Sequence, residues 1–377
     1  MHILIAPNAF KHSLTASNAA EAIRRGFQQS ALNCKSECFP VGDGGDGTGT
    51  LIIEKCGGTT VTTEVHDALG RKVKATFGLI DQGTTAVIEM ASASGIGLLK
   101  QNELTPLQAS SFGTGELIKH ALDKKVTKLI ISMGGSATVD GGTGILKALG
   151  VRFLNANGKE IDSLPRDLAD LVSIDLSNLD QRVLECEIVV LCDVENTLLG
   201  PNGAATVFGP QKGASSNDIE YLEVSLMKLR DVTLEQTGKE MAETLRGGTA
   251  GGAAAGLHTF LNAKLVNGID YYLSLTEFHR SLRIADLVIT GEGSIDEQTV
   301  LGKGPFGVAF QAKNAGIPVI GIAGKVPLYD LPELNKYFNV LLAIGNEPAD
   351  IASSLNHTEV NLIRTAKQLG NLLALKR

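Results

Sequence analysis

The sequence predicts a two-domain α/β protein, and three observations predict it. Short apolar runs alternate with Gly-rich loops and helical segments along much of the chain. Two stretches, residues 60–90 and about 151–275, break that rhythm. The chain has 377 residues, beyond the size at which a single hydrophobic core usually stops growing.

Taken in order, residues 2–6 (HILIA) form the first strand-like run. A helix follows from Asn18, with Asn18 and Glu21 spaced as a capping box and Ala20, Ile23 and Phe27 on its buried face. The runs Glu37 to Val41, Leu129 to Met133, Leu287 to Thr290 and Val319 to Ala323 each end in a Gly-rich loop, which is the punctuation of βαβ units. Open α/β sheets bind ligands at the carboxyl ends of parallel strands, so four such exits point to one crevice. Within residues 60–90, VTTEV, VKATFGLI and TAVIEM are separated by Gly70-Arg71 and Gln82-Gly83 without a helix, which predicts antiparallel hairpins. Residues 151–275 add a strand, Ile188 to Leu191, and a charged helix, Asp218 to Leu234. The two interrupting stretches read as one second domain. Leu362, Ala366 and Leu369 give the C-terminal helix an apolar face that suits either a core or a subunit contact.

Composition narrows the function classes. Apolar residues make up 43% and aromatics 5%, with no Trp, so the core is built from Ala, Val, Ile and Leu. Lys plus Arg number 34 against 41 Asp plus Glu, a net charge of −7 that disfavours nucleic acid as a partner. The five cysteines (34, 38, 56, 186 and 192) are odd in number and form no CxxC pair, so they read as inert thiols and not as a disulfide framework or zinc site. The first residues lack the basic flank and long apolar region of a secretory signal, and no apolar stretch is long enough to span a bilayer. A cytoplasmic protein is expected.

Five motifs carry candidate chemistry. VGDGGDGTGT (41–50) satisfies GxGxxG at Gly42, Gly44 and Gly47, a dinucleotide signal. Asp43 and Asp46 would repel a bare pyrophosphate unless a cation stood between, so a magnesium-bridged phosphate over Gly44, Gly45, Gly47 and Thr48 suits the loop better; a plain turn with solvated acids is the alternative. FGTGE (112–116) opens a helical run, so Gly113 and Thr114 lie where backbone N–H groups bind anions, or where Thr114 merely caps the helix. GGSATVDGGTG (134–144) offers Gly134 and Gly135 for close approach to phosphate, hydroxyls including Ser136, and Asp140 for magnesium or a donor group. CDVENTLLGPNGAATVFGPQKG (192–213) places Asp193 at a strand tip, where an acid makes a reasonable general base, and Lys212 in a Gly/Pro-bounded loop. ITGEGSIDEQTVLGK (289–303) follows an apolar strand and supplies Gly291, Gly293, Glu292, Asp296 and Lys303, the carboxylates and lysine that phosphoryl transfer demands. The GxxxxGK[ST] phosphate loop is absent from the sequence.

Together these strings resemble the bacterial glycerate kinase family of the glyoxylate- and glucarate-associated type. The match is collinear and includes PNAFKHSLTA, AVIEMASASGIGLL, VFGPQKGAS and TAGGAAAGL besides the motifs above. The resemblance implies ATP-dependent phosphorylation of D-glycerate in organic acid catabolism, with the 2-hydroxyl favoured. It also implies a Rossmann-like parallel-sheet domain built from both chain ends with an inserted second α/β domain. Combined with the rhythm above, the expected boundaries are 1–59, 105–150 and 276–377 for the first domain, and 60–104 and 151–275 for the second. Asn8, Asp46 and Val139 stand where the family usually has Asp, Glu and Asn.

Under that activity, Asp43 and Asp296 are the expected magnesium ligands, and Asp193 is the expected base, projecting toward a cleft that closes around glycerate. Lys11 or Lys303 neutralises the transferring phosphoryl group. Arg71, Ser136 and Lys212 hold the substrate, Arg71 by its carboxylate. Two rivals remain at this point: an NAD-dependent dehydrogenase resting on the GxGxxG loop, and a non-catalytic sensor of a sugar acid or phosphate.

Overall fold

The computed structural model describes residues 1–375. Its strands, in chain order, are β1 (His2–Ile5), β2 (Lys35–Cys38), β3 (Thr59–His66), β4 (Lys72–Ile80), β5 (Thr85–Glu89), β6 (Lys128–Ser132), β7 (Arg152–Leu154), β8 (Ser173–Asp175), β9 (Glu187–Cys192), β10 (Lys264–Asn267), β11 (Leu287–Thr290), β12 (Val319–Ala323) and β13 (Val340–Ala343). The chain divides into two compact units, one of residues 1–43 and 269–377 and the other of residues 44–268.

The first unit holds an all-parallel sheet of order β13-β12-β11-β1-β2. Its inner strands read as unbroken apolar runs because both faces are covered: every residue of β11 and β12 is buried, as are Ile3, Leu4 and Ile5 of β1. Strand order reverses between β1 and β11, the place where sheets of this kind leave a crevice beyond their carboxyl ends. Helix Ala16–Gln28 packs on helix Thr358–Ala374, with Ile23 and Phe27 meeting Leu362, Ala366 and Leu369 in one core. The face of the C-terminal helix left open above is thus core. The first helix starts two residues before Asn18, so Thr15 is its cap and accepts from the Asn18 amide at 3.2 Å, while Glu21 pairs with Arg24 instead.

The second unit holds a mixed sheet of order β10-β9-β6-β5-β4-β3. Strands β5, β6, β9 and β10 are parallel, and β3, β4 and β5 are the two antiparallel hairpin steps expected from residues 60–90. β7 and β8 pair separately. Residues 105–150 and 44–59, expected in the first domain, belong here. The physical reason is sheet pairing: β6 is hydrogen-bonded between β5 and β9, so its apolar residues Leu129 and Ile131 enter this unit's core. The sequence rhythm marks β6 as one more βα unit but does not say which sheet it joins.

No helix among the described residues is long and apolar enough to cross a membrane. Cys192 is buried, the other four cysteines are half-buried, and burial pushes the Cys192 thiol up to about 12, which suits an inert residue.

Candidate active site

In the first unit the chemistry collects beyond β1 and β11. Asn8 and Lys11 leave β1, and Glu292, Asp296 and Lys303 leave β11. Asp43 Oδ2 accepts from Asn8 Nδ2 at 2.7 Å and from the Gly304 amide at 3.2 Å, at the start of helix Gly304–Asn314. Asn8 Oδ1 in turn accepts from the Ala9 amide at 2.8 Å, which fixes the amide's orientation. An Asp at position 8 would set a second carboxylate against Asp43, whereas Asn8 meets it with a donor. Asp296 accepts from Ser294 Oγ at 3.2 Å, its amide donates to Thr299 Oγ1 at 3.0 Å, and Lys303 Nζ stands 3.9 Å from its carboxylate.

Glu292, 8% exposed, is pushed up to about 7, by burial first and then by the Asp43 carboxylate, against the opposing pull of Lys303 and Lys11. Three carboxylates therefore share a neighbourhood with two lysines, and the lysines do not fully compensate them. Among the described residues no closed cage of three or more ligands forms. An open set of hard oxygen donors with surplus negative charge nevertheless fits a magnesium ion, which is held through one or two carboxylates with phosphate oxygens completing its shell. Of the two glycines expected at this exit, Gly291 is buried, its carbonyl accepting from the Asn8 amide at 2.8 Å. Gly293 lines a cavity together with Lys11.

The second unit carries a different arrangement. Lys212 is 2% exposed, and its Nζ donates to Ser136 Oγ at 2.9 Å and to the Thr138 carbonyl at 2.7 Å. Burial pushes it down to about 7, although Asp140 and Asp193 draw it back toward the charged form. Asp193 is the first residue past β9 and half-buried. Ser136, Lys212 and Asp193, drawn from two separate motifs, are thus brought together.

Several expected sites prove to be internal scaffolding. Asp140, wholly buried, accepts from the Ser111 amide at 2.8 Å, Ser111 Oγ at 2.6 Å, the Gly142 amide at 3.0 Å and the Gly144 amide at 3.2 Å. It ties the starts of helices Phe112–Leu122 and Thr143–Ala148 and does not wait for magnesium. Gly113 packs on the His66 backbone, and Thr114 sits inside the helix with its hydroxyl 2.8 Å from Ser94 Oγ, so Thr114 does not cap this helix.

The GxGxxG loop is likewise occupied from within. Glu89, at the end of β5, accepts from the Gly49 amide at 2.7 Å and the Thr50 amide at 3.3 Å, so a carboxylate of the protein holds the N-terminus of helix Thr48–Lys55. Burial and the neighbouring Asp46 push Glu89 up, against the pull of those amides. Thr48 Oγ1 accepts from the Gly44 amide at 3.1 Å, and the Gly44 carbonyl accepts from the Gly134 amide at 2.9 Å. A Cβ on Gly134 would collide with Gly45, which explains the glycines by backbone packing. Gly47 and Thr48 leave no vacant helix end for a pyrophosphate, and the dehydrogenase reading loses its footing. Gly135 adopts φ 71° with Asp46 beside it. Arg71 is committed too, donating to Asp67 at 2.6 Å and to Glu103 at 2.9 Å.

Sequence reasoning missed the role of Glu89, whose one signal was an acid ending the apolar strand TAVIE. It also left Asn361 unmarked, a buried polar residue on the C-terminal helix.

Comparison with known proteins bears on the whole chain. The family described as "Glycerate kinase family" matches residues 3–374. Relatives include a glycerate kinase from Bacillus subtilis, 42% identical over 100% of this chain and 99% of the relative, and a glycerate 2-kinase from Escherichia coli, 40% identical over 100% and 98%. A solved structure from Salmonella typhimurium LT2, provisionally assigned as glycerate kinase 2, is 40% identical, superposes with a TM-score of 0.82 and covers 100% of this chain and 99% of its own. The chain belongs to the glycerate kinase family.

Proposed function

We propose that this protein transfers the γ-phosphoryl group of ATP to the 2-hydroxyl of D-glycerate, a small-molecule reaction of the cytoplasm in organic acid catabolism. The observation that carries the reading is the cluster of Lys11 and Lys303 with Asp43, Glu292 and Asp296 at the carboxyl edge of a parallel sheet. Phosphoryl transfer needs positioning and charge neutralisation more than covalent participation by the protein, and this cluster supplies both signs of charge. The Escherichia coli glycerate 2-kinase at 40% identity supports glycerate as acceptor and the 2-hydroxyl as the atom attacked.

Asp193 takes the proton of the 2-hydroxyl, whose oxygen bonds to the γ-phosphorus as the bond from that phosphorus to the β,γ-bridging oxygen breaks, and ADP leaves with the electron pair. Lys11 and Lys303 offset the charge on the phosphoryl oxygens. Ser136 offers the acceptor a hydroxyl, held in place by Lys212. Asp43 and Asp296 would hold magnesium, which supplies charge neutralisation to the phosphates when bound.

A coupled assay of ADP release with ATP, magnesium and D-glycerate tests the reading, with the product's phosphate position read by phosphorus NMR. Glycerate-dependent release giving 2-phosphoglycerate is expected. ATP binding without turnover on any hydroxy acid would instead leave a sensor.

A further inference from the structure

Beyond the carboxyl ends of β1, β11, β12 and β13 the first unit encloses a cavity of about 220 Å³. Four successive strand exits contribute to it: Phe10 and Lys11, then Gly293, Gly324 and Gly345. Helix Ile351–Asn356 and the start of helix Thr358–Ala374 close the other side. It thus lies at the reversal of strand order, where such sheets bind nucleotides. We infer that this cavity receives the adenosine end of ATP, with the phosphates running out past Lys11 and Gly293; the assignment rests on the kinase reading above and adds where the nucleotide base sits.

Size, wall and donor set support the assignment. Drug-sized ligands fill roughly 300–1,000 Å³, so this smaller space takes a base with part of its ribose and leaves a triphosphate outside. Phe10, Ile344 and Leu355 give the wall an apolar surface for a ring. Several polar side chains line it, among them Ser353, Ser354, His357 and Asn361; Asn361 is 7% exposed, with a carboxamide that makes no hydrogen bond to any described residue. The carboxamide is not sealed from solvent, so a ligand in the cavity can reach it. A carboxamide is also the side chain that pairs with the N6 and N7 edge of adenine. Lys11 lines the cavity, is exposed, and belongs to the charged cluster around Glu292, which puts a phosphate-neutralising group within reach of a bound triphosphate.

The experiment fills the cavity and alters its reader. A Cβ on Gly345 meets nothing within 4 Å, and its φ is not positive, so Gly345→Trp projects a ring without straining the backbone. Binding of a fluorescent N-methylanthraniloyl ADP is titrated in the wild type, Gly345→Trp and Asn361→Leu, with unlabelled adenosine as competitor. Gly345→Trp is expected to weaken binding by about tenfold or more, and Asn361→Leu to reduce the preference for ATP over GTP by about tenfold, while adenosine alone displaces the probe from the wild type. Should Gly345→Trp lose its circular dichroism, the near-isosteric Asn361→Leu decides by itself. Variants that bind within twofold of a wild type that still phosphorylates glycerate overturn the cavity assignment and leave the kinase standing. A wild type that neither binds the probe nor releases ADP overturns both.

Discussion

The two units place a titratable group near pH 7 by the same force acting on opposite charges. Burial raises Glu292 in the first unit and lowers Lys212 in the second, each to about 7. The neighbours then diverge. Around Glu292, the Asp43 and Asp296 carboxylates deepen the shift and the lysines only moderate it, so the site stays short of positive charge. Around Lys212, Asp140 and Asp193 oppose the shift, and the hydrogen bonds to Ser136 and Thr138 hold the lysine as a strut. One cluster is left with surplus negative charge, and the other holds a buried lysine among fixed polar groups.

The largest test of this contrast is Asp193→Asn. A general base contributes about 10²–10⁴-fold, so turnover is expected to fall by that factor with the KM for ATP unchanged. Steady-state kinetics with both substrates read it. Turnover within a few-fold of wild type would remove the base from the second unit and break the division of labour.

Asp140→Ala comes next and separates strut from site. The four donors that converge on Asp140 lose their acceptor, and hydrogen bonds to a charged group are worth about 1.5–3 kcal/mol each in favourable cases. Guanidinium unfolding is expected to show a loss of at least about 3 kcal/mol, the scale of breaking a buried charged network. A stable variant that has lost only activity would return Asp140 to the catalytic group.

What the sequence made legible follows from this division. Strand exits and the hairpins of residues 60–90 were readable because apolar periodicity and turn residues are local signals; β11 and β12 fall where the apolar runs put them. Membership of β6 was not readable, since a buried parallel strand looks the same in either sheet. The acids of the ITGEGSIDE segment announced themselves by type and spacing. Asp140 and Asp193 both read as acids beside a strand exit, and the amides of Ser111, Gly142 and Gly144 around Asp140 tell strut from candidate base. Glycines misled most: Gly44, Gly45 and Gly134 serve backbone-to-backbone packing, which in sequence is indistinguishable from close approach to a phosphate.

Lys212→Met sharpens the comparison through pH. The folded pKa lies at about 7 and the ordinary lysine value is 10.5, so between these limits the unfolded chain binds more protons than the folded one. Stability from this group therefore rises with pH across that window and is flat below it. Unfolding measured at pH 7, 8 and 9 is expected to show the rise in wild type and to lose it in Lys212→Met. Because the Thr138 carbonyl loses its donor while the penalty of burying a charge also disappears, the variant is expected to fall furthest behind wild type at pH 9 and least at pH 7. An unchanged slope would mean that Lys212 stays charged as a partner of Asp193.

The smallest effect is expected at Arg71, which the sequence offered as the clamp for the glycerate carboxylate. Its guanidinium already meets Asp67 and Glu103, and its side chain is 46% exposed. Asp67 is buried, and although that burial pushes its carboxyl up, the backbone amide and guanidinium of Arg71 hold it below the usual range. Two carboxylates in place leave little of the fork to grip a third. Arg71→Ala is therefore expected to shift the KM for glycerate by less than about twofold, the weak end of what an exposed ion pair contributes. A rise of tenfold or more would mean that glycerate displaces Glu103 from the guanidinium. The double variant with Glu103→Gln would then bind glycerate no better than Arg71→Ala alone, because the competitor removed would have no clamp to release.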